Sequence, residues 1–127
     1  MTYEEFNAFC GALPATTYVV QWGGSHVWKV GGKVFAIGGW DDGEAAITFK
    51  AGEVAYRMLA GQPGLRPAPY LASRGLKWIQ HYAMPGLSDD DLRDYLRHSH
   101  ALVVQGLPRK KRAELGLSEL CNTLPAD

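Results

Sequence analysis

The segment 26–50 constrains the fold of this chain most, because it reads as three consecutive antiparallel strands joined by tight turns. Two runs rich in β-branched and aromatic residues, 27–30 and 33–37, are separated only by Gly31 and Gly32. A two-residue primed turn needs central residues with positive φ, which glycine adopts without steric cost. The pattern therefore predicts a β-hairpin within this segment.

Alternation of side chains predicts the two faces of this hairpin. If Val30 lies opposite Lys33, Trp28 lies opposite Phe35. One face, expected to cover the core, then contains Trp28, Val30, Phe35 and Ile37, and the other contains Val27, Lys29, Val34 and Ala36. In the third strand, the same rule places Ile47 and Phe49 on one face and Thr48 and Lys50 on the other.

The remaining sequence predicts helices at both ends of the chain. Thr2 and Glu5 have the spacing of a capping box, which favours a helix over residues 3–12. The other expected elements are strands at 17–22, 45–50 and 76–82, helices at 53–60 and from Ser88 to Gly106, and a final helical turn after Pro108. Together they predict an α+β fold with a five-stranded antiparallel sheet flanked by N-terminal and C-terminal helices.

The connection 62–75 contains three prolines, and we expect it to be irregular, with at most a helical turn near Tyr70. It carries Arg66 and Arg74, which suit a surface contact, although a packed connector is the commoner role of such a loop. In the strand that follows, we expect Gln80 to face outward, because a buried amide needs hydrogen-bond partners.

Length and composition place the chain among single-domain proteins. Its 127 residues can bury one core, and we expect a domain over 1–117 with a C-terminal tail at 118–127. The sequence lacks both an apolar run of the roughly 20 residues that span a membrane and a secretory signal, which predicts a cytoplasmic protein. Cys10 and Cys121 are isolated, so neither a disulfide framework nor a metal-binding pair is expected.

Histidines and a run of carboxylates are the candidates for catalysis or metal binding. His98 and His100 diverge on a helix, whereas His26 and His81 lie in strands without a ligand motif nearby, and we expect His81 to be a satisfied sheet residue. The three aspartates at 89–91 are explained by capping of the following helix. With no nucleophile or phosphate-loop motif, we expect no enzyme, no cofactor and no metal site.

Charge is balanced over the whole chain, with 13 basic and 13 acidic residues, but it is unevenly distributed. Residues 1–56 contain three Lys or Arg against six Asp or Glu, whereas residues 57–127 contain ten against seven. The candidate phosphate-binding residues are four consecutive cations, Arg109, Lys110, Lys111 and Arg112, with Arg97 and Arg93 on the preceding helix. Lys29, Lys50 and Trp78 would form a second platform on the sheet.

Several segments together resemble the MmcQ/YjbR family, over about residues 3–115. They are WKVGGKVFA at 28–36, AITFK at 46–50, PAPYL at 67–71, GLKWI at 75–79 and SHALVVQGLPRKKR at 99–112. The resemblance implies a CyaY-like, double-wing α+β fold in a family mostly named as predicted DNA-binding proteins, without an established catalytic site.

Residue by residue, the resemblance matches Lys33 and Lys50 to recurrent lysines, Trp78 to a recurrent sheet aromatic, and Lys110, Lys111 and Arg112 to a basic ending. His100 departs from the pattern, since an aromatic residue is usual there. The predicted function is that of a non-enzymatic DNA-binding protein, expected to be a monomer without a membrane partner. The alternative is a protein- or small-ligand-binding adaptor that uses the sheet face and the proline-rich loop.

Overall fold

The computed structural model describes residues 1–39, 46–69, 71 and 76–117. The elements are α1 (Tyr3–Ala12), β1 (Thr16–Gln21), β2 (Ser25–Val30), β3 (Lys33–Gly38), β4 (Ile47–Lys50), α2 (Glu53–Leu59), β5 (Leu65–Pro67), β6 (Trp78–His81), α3 (Asp89–Gln105) and α4 (Arg109–Glu114). This order confirms the α+β fold with helices toward both ends. The predicted tail with Cys121 and the loop residues Tyr70 and Arg74 lie outside the described residues.

The strands form one antiparallel sheet in the order β1-β2-β3-β4-β6-β5. It has six strands where the sequence predicted five. The additional strand is β5, which lies in the connection predicted to be irregular and pairs with β6. Pro67 is compatible with this position, because a strand at the edge of a sheet does not need every N–H for the ladder.

The hairpin of β2 and β3 forms at the predicted turn, where Gly31 and Gly32 both have positive φ. Val30 pairs with Lys33 as predicted, but Trp28 pairs with Ala36 and not with Phe35. The register shifts between Trp28 and Lys29, which leaves Phe35 as an extra residue on β3. Such a β-bulge carries no signature in an alternating pattern, so the prediction failed from that point onward.

The bulge exchanges the predicted faces of Ile37 and Ala36. Ile37 pairs with Val27 and Thr48, in a row across the sheet that continues to Gln80. Every residue of this row is buried. The row does not form an open sheet face.

Gln80 lies on the face of β6 opposite Ile79, which packs in the core, as predicted, but it is fully buried, so the expected exposure was wrong. The partner that a buried amide requires is Arg66 on the neighbouring strand β5, whose Nε donates to Gln80 Oε1 at 2.8 Å. The prediction failed because the connection containing Arg66 was not recognised as a strand. Arg66 also lies over the ring of Tyr82, 4.4 Å from its centroid.

The helices α1 and α3 contribute to one core with the sheet. Phe6 and Cys10 of α1 and Leu92 and Leu96 of α3 are buried in the same cluster as Phe49. The capping box of Thr2 and Glu5 is present, and Ser88 caps α3 by accepting a hydrogen bond from the N–H of Asp91. Over the described ranges, we find no helix long and apolar enough to cross a bilayer.

Candidate nucleic-acid interface

A pocket of 380 Å³ lies where one end of the sheet meets the C-terminal end of α3. It is lined by Lys33, Val34, Lys50, Trp78, Val103 and Gly106. Lys50 and Trp78 are opposite each other on β4 and β6, and Lys33 is the first residue of β3. The fold therefore gathers two lysines and an indole ring from three separate parts of the chain.

The turn of the β2–β3 hairpin connects this pocket to the basic run of α4. A methyl group added at Gly31 would lie 2.6 Å from Leu107 Cδ1, so Leu107 packs directly on the turn. Arg109 follows two residues later, and its Cα is within about 7 Å of the Cα of Leu107, the reach of two extended residues. The first cation of α4, Arg109, therefore lies near the hairpin turn.

Ser99 of α3 fixes the backbone of Lys50. Its buried hydroxyl accepts a hydrogen bond from the N–H of Lys50 at 2.9 Å and donates one to the carbonyl of Phe35 at 2.6 Å. The last paired residues of β3 and β4 on this side are Ala36 and Phe49. Ser99 thus joins β3 and β4 beyond their last paired residues and fixes the position of the Lys50 backbone.

Two of the predicted phosphate contacts already have carboxylate partners on α3. Arg93 Nη1 lies 2.9 Å from Asp90 Oδ1, and Arg97 Nη1 lies 2.7 Å from Asp94 Oδ1. The guanidinium of Arg97 also lies over the ring of Phe9, 5.4 Å from its centroid. A phosphate would have to compete with these neighbours, which reduces what either arginine can contribute.

Six other cations have no carboxylate partner among the residues that the structure describes: Lys29, Lys33, Lys50, Arg109, Lys110 and Lys111. We call these six residues the basic end. Its three members on α4 are exposed, and Lys29 and Lys50 are half-buried. Lys33 and Lys50 share one pocket, and like charges without a carboxylate partner there produce a local positive potential even though the whole chain is neutral.

Arg112 and Trp78, both predicted to contact nucleic acid, are partly engaged in contacts within the protein. Arg112 Nη1 donates to the carbonyl of Gln105, in the last turn of α3, at 3.3 Å. Trp78 is only 9% exposed. Its ring therefore forms a wall of the pocket, with little surface free for a stacked base.

The C-terminal end of α3 also explains part of the lysine cluster. The last turn of α3 contains no basic residue, and the C-terminal end of a helix carries a partial negative charge. Lys33 and Lys50 line the pocket beside Gly106, the C-cap of this helix, and can offset that charge. Stability and ligand binding therefore have to be measured separately for these lysines.

His81 differs from the satisfied sheet residue that was predicted. Both its ring nitrogens are buried without a hydrogen-bond partner in the described structure, and Gly86 packs against the ring. Burial lowers the pKa of His81. The ring lines a second pocket, of 390 Å³, whose described walls are Met1, Ile47, His81, Tyr82, Ala83, Met84 and Leu92.

His26 belongs to a network that the sequence did not reveal. Its Nδ1 lies 2.7 Å from the hydroxyl of Tyr18 and 3.4 Å from Nδ2 of Asn7. Trp28 Nε1 in turn donates to Asn7 Oδ1 at 2.9 Å. The four residues come from α1, β1 and β2, so no local spacing could have indicated the network.

These observations define a small α+β protein with a six-stranded antiparallel sheet and a basic end beside the β2–β3 turn. The sequence model of the family described as YjbR matches residues 11–102, and the chain belongs to this family. The predicted resemblance is thereby confirmed.

A solved structure gives the same fold. The crystal structure of protein DR2400 of Deinococcus radiodurans, described as containing domain DUF419, is similar with a TM-score of 0.79. The similarity covers 99% of this chain and 96% of that one at 20% sequence identity, a level that shows the fold alone. A comparison with curated proteins gave no match.

Proposed function

We propose that this protein is a non-enzymatic, cytoplasmic DNA-binding protein that holds backbone phosphates on its basic end. The observation that carries the proposal is the convergence of Lys33 and Lys50 in one pocket. Leu107, two residues before the exposed cations of α4, packs on the hairpin turn that precedes Lys33. Arg93, Arg97 and Arg112 are secondary contacts, since each already has a partner on α3.

The type of cation favours phosphates over base edges as the target. Five of the six residues of the basic end are lysines, which act as mobile point charges, whereas base reading favours the rigid fork of arginine. Lysines on a pocket rim and on a short helix can each neutralise a phosphate and release a counterion. We therefore propose binding that depends weakly on DNA sequence and strongly on salt.

The adaptor alternative has less support. It required an open sheet face, but the central row from Val27 to Gln80 is buried. It also required the proline-rich connection, of which Leu65–Pro67 is taken up by β5. Lys29, Lys50 and Trp78 can therefore act at the end of the sheet but not as part of a broad platform.

Fluorescence anisotropy with a labelled DNA duplex tests the proposal. Between 20 and 300 mM salt, contacts to about four phosphates give a slope of roughly −3.6 in a plot of log K against log salt concentration. The double variant Lys33→Gln/Lys50→Gln should flatten this slope by about 2 and weaken binding at low salt at least about tenfold.

The matched control is Arg57→Gln/Lys77→Gln, which removes two exposed cations that lie near Glu53. It changes the net charge equally, and we expect less than about a twofold effect because surface pairs contribute little. Absence of binding at 20 mM salt, or equal losses in the two double variants, would contradict the proposal. Urea denaturation of both variants separates lost binding from lost stability.

A further inference from the structure

The two outer strands of the sheet differ in how they are protected from pairing. Within the described ranges, no strand lies on the outer side of either β1 or β5. β5 has three residues and ends in Pro67, a device that commonly prevents edge-to-edge association. β1 has six residues, Thr16–Gln21, with neither a proline nor a charged side chain. Only β1 remains suited to pairing with another strand.

The face of β1 that bears exposed apolar side chains is already ordered. Tyr18 and Val20 are 44% and 53% exposed and, being two residues apart, point to the same side of the sheet. The Tyr18 hydroxyl is hydrogen-bonded to His26, and its ring lies 5.0 Å from that of Trp28 between centroids. A partner would therefore meet a fixed aromatic surface, which keeps the entropic cost of binding low.

The charge pattern indicates what kind of strand fits this edge. No charged residue occurs anywhere from Gly11 to Gly24, so a charged segment would find no opposite charge along β1. An uncharged strand rich in β-branched and aromatic residues would pair well, and a second copy of β1 is such a strand.

We propose that the protein self-associates by antiparallel pairing of β1 with β1 of a second copy. The two-fold axis is then normal to the sheet, so both copies carry their helices on the same side, and residues of like face oppose each other. With the axis at Val19, Tyr18 of one copy lies opposite Val20 of the other, and Thr17 opposite Gln21. In this register the pair of Tyr18 and Val20 forms twice across the interface. An aromatic side chain opposite a β-branched one is a favourable cross-strand combination.

The interface is small, because it consists of one strand edge and two apolar pairs. We therefore expect reversible dimerisation with a dissociation constant on the order of 100 µM. This affinity is much weaker than that of a standard-size interface. The monomer expected from the sequence is then the dominant species at low concentration.

Sedimentation velocity of the protein without DNA, from 5 to 500 µM, tests this proposal. The weight-average sedimentation coefficient of the unaltered chain should rise with concentration. Val20→Lys places a charge opposite Tyr18 of the second copy and should raise the dissociation constant at least about tenfold. Met58→Lys, at a side chain 60% exposed on α2, is the matched control and should behave like the unaltered chain.

Hydrogen exchange gives a second measurement that locates the interface. Protection of β1 amides should increase with concentration in the unaltered chain and in Met58→Lys, but not in Val20→Lys. A sedimentation coefficient that stays constant up to 500 µM overturns the proposal. Dimerisation that persists in Val20→Lys, or protection that rises elsewhere than in β1, also overturns it.

Discussion

Replacement of Ser99 by alanine should destabilise the protein more than its small size suggests. Ser99 is fully buried, and its hydroxyl joins α3 to β3 and β4 through the Phe35 carbonyl and the Lys50 N–H. Alanine has no polar atom to replace these bonds. Two backbone groups would then lose their partner at the same time, just beyond Ala36 and Phe49, where the pairing of β3 with β4 ends.

The cost follows from those two groups. A buried donor or acceptor left without a partner costs about 1–3 kcal/mol. The Phe35 carbonyl bears the larger share, because the Lys50 amide lies next to an open pocket that water can enter. We expect the free energy of unfolding to fall by roughly 2–4 kcal/mol, which for a chain of this length lowers Tm by about 6–16 °C.

Urea denaturation followed by tryptophan fluorescence measures this loss. Ser88→Ala is the control, because it makes the same change on the same helix but removes only a capping bond to the Asp91 N–H, worth about 1 kcal/mol. Amide exchange at Lys50 should also become faster in Ser99→Ala only. If Ser99→Ala lowers the free energy of unfolding no more than Ser88→Ala does, the Ser99 hydroxyl does not hold β3 and β4 together.

Two further predictions concern the buried His100 and the glycine that packs against His81. Burial lowers the pKa of His100 below its ordinary value of 6.5, so protonation favours the unfolded chain and stability is lost as pH falls from about 7 to 5. His100→Gln, which retains a donor for the Pro14 carbonyl, should flatten this dependence in urea titrations; an unchanged slope contradicts it. Gly86→Ala should cost at least about 2 kcal/mol, because its φ is positive and the added methyl group would overlap the ring of His81. Gly32→Ala has positive φ but open space, so we expect only about 1 kcal/mol, and equal losses would refute the packing argument.

Elements defined by short-range signals were predictable from the sequence. The capping box at Thr2, the turn at Gly31 and Gly32, and the cap of α3 at Ser88 are each set by residues within one turn of one another. Their chemistry does not depend on the remainder of the fold, which explains why the predicted bounds of α1 and α3 agree with the structure.

Features that depend on distant partners were not predictable in the same way. Three residues form β5 only because β6 is there to pair with them, and Gln80 can be buried only because Arg66 then lies beside it. The departure noted at His100 has a similar explanation. Its ring packs edge-on against Phe35 and its Nε2 lies 2.8 Å from the Pro14 carbonyl, so it supplies both an aromatic body and a polar tip.

The basic end contains one feature that the sequence could predict and one that it could not. The run from 109 to 112 was evident from its composition, whereas the meeting of Lys33 with Lys50 depends on the order of strands and on the bulge at Phe35. A count of charges could not separate these lysines from Arg93 and Arg97, which satisfy carboxylates on their own helix. Which cations are free for a ligand is thus a property of tertiary packing.

The proposed dimer and the proposed DNA contact constrain each other through the direction of β1. Thr16, the first residue of β1, pairs with Val30 at the end of the sheet that carries the β2–β3 turn and the basic end. A two-fold axis normal to the sheet at Val19 reverses the strand, so the second copy presents its basic end in the opposite direction. Because the two basic ends face away from each other at opposite ends of the paired strands, a straight duplex bound at one does not contact the other. Self-association would therefore leave the affinity for a short duplex unchanged, and would instead allow one dimer to hold two separate DNA segments.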